Sequence, residues 1–264
     1  MFDSLSLESV HYFLSLVIFG TIPSLIWLFY YLRKDSDKEP RRIIIQVFLL
    51  GAISTLWALF FEILFLKGLY TAGIECQDCN SLVPDFLGAV NFQLLSPVSF
   101  VVLLGLAFIE EFIKYAIVKA RMLKDINFDA PVDPMIYLII GALGFAAAEN
   151  IGYIISSDPG SVFGILYFRF FTATFLHALA SAIVGYFFAL SLIHRKNHAI
   201  YITIGLVLAT SLHALFNLFV LLIEESQFAF LYLTGLLVFM YAYVSYMFVS
   251  IKKIHYNLQK INNQ

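Results

Sequence analysis

An all-α, polytopic membrane bundle of about seven spans is the fold class this sequence predicts, and three observations predict it. Of its 264 residues 61% are hydrophobic and 13% charged, with mean hydropathy +0.87, whereas soluble domains are about 45–50% apolar and about 25% charged. Apolar segments at 10–32, 43–66, 94–118, 135–155, 163–192, 199–223 and 229–251 each reach the roughly 20 residues that cross a bilayer as a helix. Basic residues concentrate on alternate connections, the others holding only Lys67, as the positive-inside rule requires.

Residues 1–9 carry Asp3 and Glu8 but no Lys or Arg, so the first segment lacks the positive n-region of a signal peptide and is expected to be a permanent helix. The charged stretch from Arg33 to Glu39 and then Pro40 marks a turn before the second span. Near that span's outer end Glu62 is expected to pair with Lys67. The outer loop 67–84 holds Cys76-Gln-Asp-Cys79, a spacing used by redox and zinc half-sites. On an oxidising side, with no other cysteine in the chain, a small disulfide is the simplest reading. Residues 83–91 read as a short interfacial helix before the third span. Asp129-Ala-Pro131-Val-Asp133-Pro134 is a stiff loop whose second proline suits a helix start, and Ser156-Ser-Asp-Pro159-Gly160 is a tight outer turn.

Arg33, Lys34, Lys38, Arg41 and Arg42 lie in the first connection, Lys119, Arg121 and Lys124 in the third, Arg195 and Lys196 in the fifth, and Lys252, Lys253 and Lys260 in the tail. The N-terminus is thus expected outside and the C-terminus in the cytoplasm. No basic stripe offers a nucleic-acid surface. No connection is long enough to fold alone, so residues 1–264 read as one membrane domain.

The apolar pattern is broken by chemistry in four neighbouring spans, approximately 94–223. The third carries Glu110, Glu111 and Lys114, with Glu110 and Lys114 spaced i, i+4 in the favourable order. The fourth carries Glu149 and Asn150 after the small-residue run that starts at Gly141; Gly141 and Gly144 read as close-packing positions. The fifth carries Arg169 and His177, with Thr174 and Ser181 on the histidine's face. The sixth carries His213 and Asn217, one turn apart. A charge at the bilayer centre costs roughly 2.5–3.5 kcal/mol on insertion scales, so five unpaired would cost about 12–17 kcal/mol, as much as a domain's whole net stability of about 5–15 kcal/mol. Pairing around a polar cavity removes most of that cost. Such a cavity is also what a hydrolase needs: a glutamate to activate water and a histidine to move a proton or stabilise an oxyanion. Acids and histidines in spans equally serve ion relays, so a proton- or ion-coupled transporter is the alternative, although no internal repeat is visible. Depth is a difficulty, because Glu110 lies close to the cytoplasmic end if the third helix stops at Val118 and nearer mid-membrane if it runs on to Leu123. Convergence with His177, His213 and Glu149 requires tilt, a broken helix or a dip in the membrane.

Phe108-Ile-Glu-Glu-Phe-Ile-Lys114, then Pro131-Val-Asp-Pro-Met-Ile-Tyr137 with Gly144-Phe-Ala-Ala-Ala-Glu-Asn-Ile-Gly-Tyr153, then Arg169 with His177, then His213-Ala-Leu-Phe-Asn217, together resemble the PrsW family of intramembrane proteases. The segment Asp35 to Pro40 also fits, so the resemblance runs from about residue 30 to 220. It implies peptide-bond hydrolysis in a membrane-anchored protein such as an anti-sigma factor, in a prokaryotic cell membrane. It further implies that Glu110 or Glu111 activates water, that His177 assists as acid or base, and that His213 and Asn217 polarise the scissile carbonyl. Lys114, Glu149, Asn150 and Arg169 would support them. Family members have been classed as metalloproteases, and if zinc is bound its expected ligands are His177, His213 and Glu149. No H-E-x-x-H motif is present, and the similar CAAX prenyl proteases are read as metal-independent glutamate enzymes. The chain departs from that prenyl pattern by its Lys114 and by Glu149-Asn150, which makes a prenylated substrate less expected. A non-catalytic scaffold of the same fold is the remaining alternative; it would be expected to lose parts of the acid, His and Asn set, all of which are kept.

Overall fold

The computed structural model describes residues 7–34, 39–72, 97–122, 130–223 and 226–262. They form eight α-helices: α1 (Leu7–Leu32), α2 (Arg41–Thr71), α3 (Pro97–Met122), α4 (Asp133–Ile155), α5 (Val162–Phe171), α6 (Ala173–Ile193), α7 (His198–Leu221) and α8 (Ala229–Asn262), with a 3-10 turn at Arg195–Asn197. No strand occurs among the described residues. The cysteine pair Cys76 and Cys79 and the short helix expected over 83–91 lie outside them.

Six helical stretches are long and apolar enough to cross a membrane, with α5 and α6 counted as one stretch, Val162–Ile193. α3 is as long as a span, 26 residues, and is set apart by its charges. The seven expected segments are therefore all present. α3 continues to Met122, so Glu110 sits twelve residues, about 18 Å along the axis, from its C-terminal end. That moves the acids toward mid-membrane.

α4 and α6 form the buried centre, and the other helices surround them. α4 is buried along almost its whole length. Its start is tied by the Ala130 amide, which donates to Asp133 Oδ2 at 2.7 Å, and by Pro134 in the first turn, where a missing N–H costs nothing. The small residues predicted to allow close approach do so. A Cβ on Gly144 would run into the Phe48 carbonyl, and one on Gly51 into the Gly141 carbonyl, so α2 lies almost backbone to backbone on α4. Outward faces display large apolar side chains such as Leu56, Phe163 and Tyr167, a surface suited to acyl chains rather than water.

One expectation is corrected. Segment 163–192 is not a single helix. At Thr172 the backbone leaves the helical region (φ −116°, ψ −88°), and the Thr172 hydroxyl donates back to the Phe168 carbonyl at 2.7 Å. A threonine hydroxyl bonded to the i−4 carbonyl is a known way to bend a helix. The break lets α5 and α6 present side chains to the interior from different directions.

Candidate active site

The polar residues of five helices meet at Lys114. Its side chain is fully buried, and its ammonium spends three hydrogens on three partners. It donates to Glu111 Oε1 at 2.8 Å, to Glu110 Oε2 at 3.2 Å and to His177 Nδ1 at 2.8 Å. α3 supplies the lysine and both acids because positions i, i+3 and i+4 of a helix adjoin. The ammonium also sits 4.2 Å from the centroid of Phe145 on α4, a cation–π contact that apolar surroundings strengthen.

Two arms extend from this centre. On one side His177, whose Nδ1 accepts from Lys114, donates through Nε2 to Glu149 Oε2 at 2.7 Å. The same carboxylate oxygen accepts from Arg169 Nη2 at 2.8 Å, while Arg169 Nε donates to Asn150 Oδ1 at 2.6 Å. Asn150 in turn donates to Thr174 Oγ1 at 3.1 Å, and the Arg169 guanidinium lies over the Tyr153 ring at 3.9 Å. On the other side His213 donates from Nδ1 to Glu111 Oε1 at 2.9 Å, and Ser181 donates to Glu111 Oε2 at 3.4 Å. The two imidazoles stand edge to face with centroids 5.1 Å apart.

Eight of the nine residues singled out from the sequence thus form one connected network: Glu110, Glu111, Lys114, Glu149, Asn150, Arg169, His177 and His213. Asn217 is half-buried, one turn beyond His213 on α7, and makes no hydrogen bond among the described residues. Arg169 is buried and clamps Glu149 and Asn150. Glu62 was expected to pair with Lys67. Instead it faces inward from α2, where the charges acting on it are Glu110, Glu149 and Lys114. Its position one turn from the buried Ala58 and Leu66 is the signal by which it belongs to the inner face. Phe145 was missed because nothing in a lone phenylalanine announces a cation above its ring.

The two neighbouring acids differ. Glu111 is 1% exposed, with both oxygens engaged, Oε1 twice. Glu110 is 8% exposed and bonds only through Oε2 to Lys114 among the described residues. One acid is locked; the other keeps one oxygen free of hydrogen bonds among the described residues and is the more exposed of the two.

Glu110, Glu111, His177 and His213 each offer a ligand atom within 4.8 Å of the others, and two nitrogens with two oxygens match zinc in kind. Glu149, expected as a ligand, is not in this group. Its bonds go to Arg169 and His177 Nε2. The ammonium of Lys114 holds three of the four donors, and a dication among them would replace all its bonds while lying beside its charge. Four donors of the right kind are thus present, with three of them engaged by the Lys114 ammonium as they stand.

The comparisons with known proteins lead to the same family. The family model described as PrsW family intramembrane metalloprotease matches residues 39–249. Among curated proteins, the chain is 26% identical over 204 residues to the protease PrsW of Geobacillus kaustophilus, covering 77% of this chain and 78% of that one. It is 29% identical over 207 residues to that of Oceanobacillus iheyensis, covering 77% and 82%, and 26% identical over 200 residues to that of Bacillus subtilis, covering 75% and 79%. No solved structure matches.

Proposed function

The chain belongs to the PrsW family of intramembrane proteases, and we propose that it hydrolyses a peptide bond in a membrane-anchored protein, such as an anti-sigma factor, with Glu110 as the base. It is a peptidase and a multi-pass integral protein of a prokaryotic membrane. Relatives that are proteases by name favour this reading over the transporter and the scaffold.

The unequal bonding of the two acids is the observation that carries the assignment of roles. A general base needs a free lone pair within reach of water. Glu110 has one; Glu111, held by Lys114, His213 and Ser181, acts by positioning. The water gives a proton to Glu110 as its oxygen bonds to the scissile carbonyl carbon. His213 has Nε2 without a hydrogen bond among the described residues, while Glu111 fixes Nδ1–H. In its doubly protonated form it donates to the carbonyl oxygen as negative charge develops there, and the Asn217 amide is one turn away to donate beside it. The C–N bond then breaks as the proton on Glu110 passes to the amine nitrogen, leaving an acid, an amine and an ionised Glu110. His177, with both nitrogens engaged, keeps Lys114 and Glu149 in place, and Arg169 neutralises Glu149. No step is routed through a metal.

The test is proteolysis of tagged single-pass membrane proteins, reconstituted with the enzyme in proteoliposomes, with product termini read by mass spectrometry. Cleavage within or beside the membrane segment, absent for soluble peptides of the same sequence and lost in His213→Ala, is expected. Equal cleavage of soluble peptides would contradict the substrate class, and unchanged cleavage by His213→Ala would contradict the mechanism.

A further inference from the structure

The other face of the α5–α6 junction closes a second feature, a groove of about 750 Å³ between α1, α5, α6 and α8. Trp27 forms one wall. It is stacked on Phe175 with centroids 4.3 Å apart, and its Nε1 donates to the Phe170 carbonyl at 2.9 Å. Along α8 the lining runs from Phe230 to Tyr241, eleven residues and thus about 17 Å. One leaflet of the hydrocarbon core is about 15 Å deep, half of about 30 Å.

At one end the groove is lined by a hydroxyl pair, Tyr30 to Tyr241, at 2.7 Å. Just beyond stands Lys34, its Nζ 4.8 Å from the Tyr30 ring centroid and 5.1 Å from that of Tyr241. Lys252 joins it from α8, donating to the Lys34 carbonyl at 2.7 Å. Neither lysine forms an ion pair among the described residues.

We propose that this groove binds an anionic phospholipid, with an acyl chain along α8 and the phosphate on Lys34 and Lys252. Three features select that occupant. The groove is apolar for the depth of one leaflet. A substrate helix needs about 20 residues, or about 30 Å, nearly twice the length available. Two ammonium groups and two phenols at the polar end complement a phosphate, and basic pockets between spans are suited to anionic headgroups. Because Phe171, Thr172 and Phe175 line the groove while Arg169 and His177 leave the same segment inward, the bound lipid braces the break that positions the active-site network.

The protein's two tryptophans are Trp27 and Trp57, and Trp57 is exposed on α2, so Trp57→Phe leaves Trp27 as the sole reporter. The full chain is reconstituted in phosphatidylcholine vesicles containing a few mole per cent of brominated phosphatidylglycerol or brominated phosphatidylcholine. Several-fold stronger quenching of Trp27 by the brominated anionic lipid is expected. Lys34→Gln and Lys252→Gln are expected to bring the two lipids level, while Lys253→Gln, exposed and one residue on, keeps the preference. Equal quenching by both lipids, or a preference that survives Lys34→Gln and Lys252→Gln, overturns the proposal; so does loss of preference in Lys253→Gln, which would mean only general surface charge. Quenching by brominated phosphatidylcholine that matches across all variants shows that each has folded. Soluble glycerol phosphate is expected to leave the quenching unchanged, and displacement by it would overturn the acyl-chain part.

Discussion

Replacing Lys114 by methionine is the perturbation that reads the network most directly. Methionine keeps the volume and the apolar stem but removes all three hydrogen bonds, at 2.8, 3.2 and 2.8 Å. Two carboxylates are then left facing each other without their shared cation, and His177 Nδ1 loses its donor. Breaking a buried ion pair by deleting one partner costs about 3–5 kcal/mol, because the remaining charge stays desolvated. With a typical net stability of about 5–15 kcal/mol, that is roughly 30–50% of the total at mid-range. The assay is unfolding of the purified protein in mixed micelles by denaturing detergent, followed by circular dichroism, for Lys114→Met, Glu111→Gln and the double variant. The double variant should be less destabilised than the sum of the singles, with a coupling of about 0.5–3 kcal/mol. A Lys114→Met variant within about 1 kcal/mol of wild type, or strictly additive effects, would contradict this coupling. It would mean that the lysine does not stand among the acids in the native state.

Glu110→Gln should lower turnover by about 10²–10⁴-fold with an unfolding midpoint close to wild type, whereas Glu111→Gln should lose stability as well, since its three donors lose an ionised acceptor; matched kinetics and stabilities read the split. Arg169→Lys should recover little of what Arg169→Met loses, because the arginine holds Glu149 through Nη2 and Asn150 through Nε, a fork an ammonium cannot reproduce; thermal unfolding of the two variants checks it. Gly144→Ala should cost about 1–3 kcal/mol by overpacking, since its methyl meets the Phe48 carbonyl, while alanine at the open Gly164 should not.

Much of this was legible because a membrane makes polar residues conspicuous. In an apolar span every Glu, Lys, Arg or His requires a reason, and the four intruding clusters were the four that converge. The small residues of α4 foretold close packing for the same kind of reason: there is no other use for Gly141 and Gly144 in a span. What stayed hidden was geometry. The helix break at Thr172 depends on a hydroxyl choosing a carbonyl four residues back, and threonine does this in many helices without breaking them. The ranking of Glu110 against Glu111 depends on which direction each side of α3 faces, and helical spacing gives relative angles but not partners. Glu62 lay near a lysine in sequence, and local spacing outweighed the inner face it shares with Ala58 and Leu66. Asn217 entered by its spacing from His213, and its amide makes no hydrogen bond among the described residues.

The most direct test of the central claim, that Glu110 activates water in a site organised by Lys114, is the initial rate of cleavage of one reconstituted membrane-anchored substrate. It is measured for wild type with and without a strong zinc chelator, and for Glu110→Gln. Wild-type cleavage unaffected by the chelator and a loss of about 10²–10⁴-fold in Glu110→Gln are expected. Cleavage abolished by the chelator and restored by added zinc, or near-normal cleavage by Glu110→Gln, would contradict the claim.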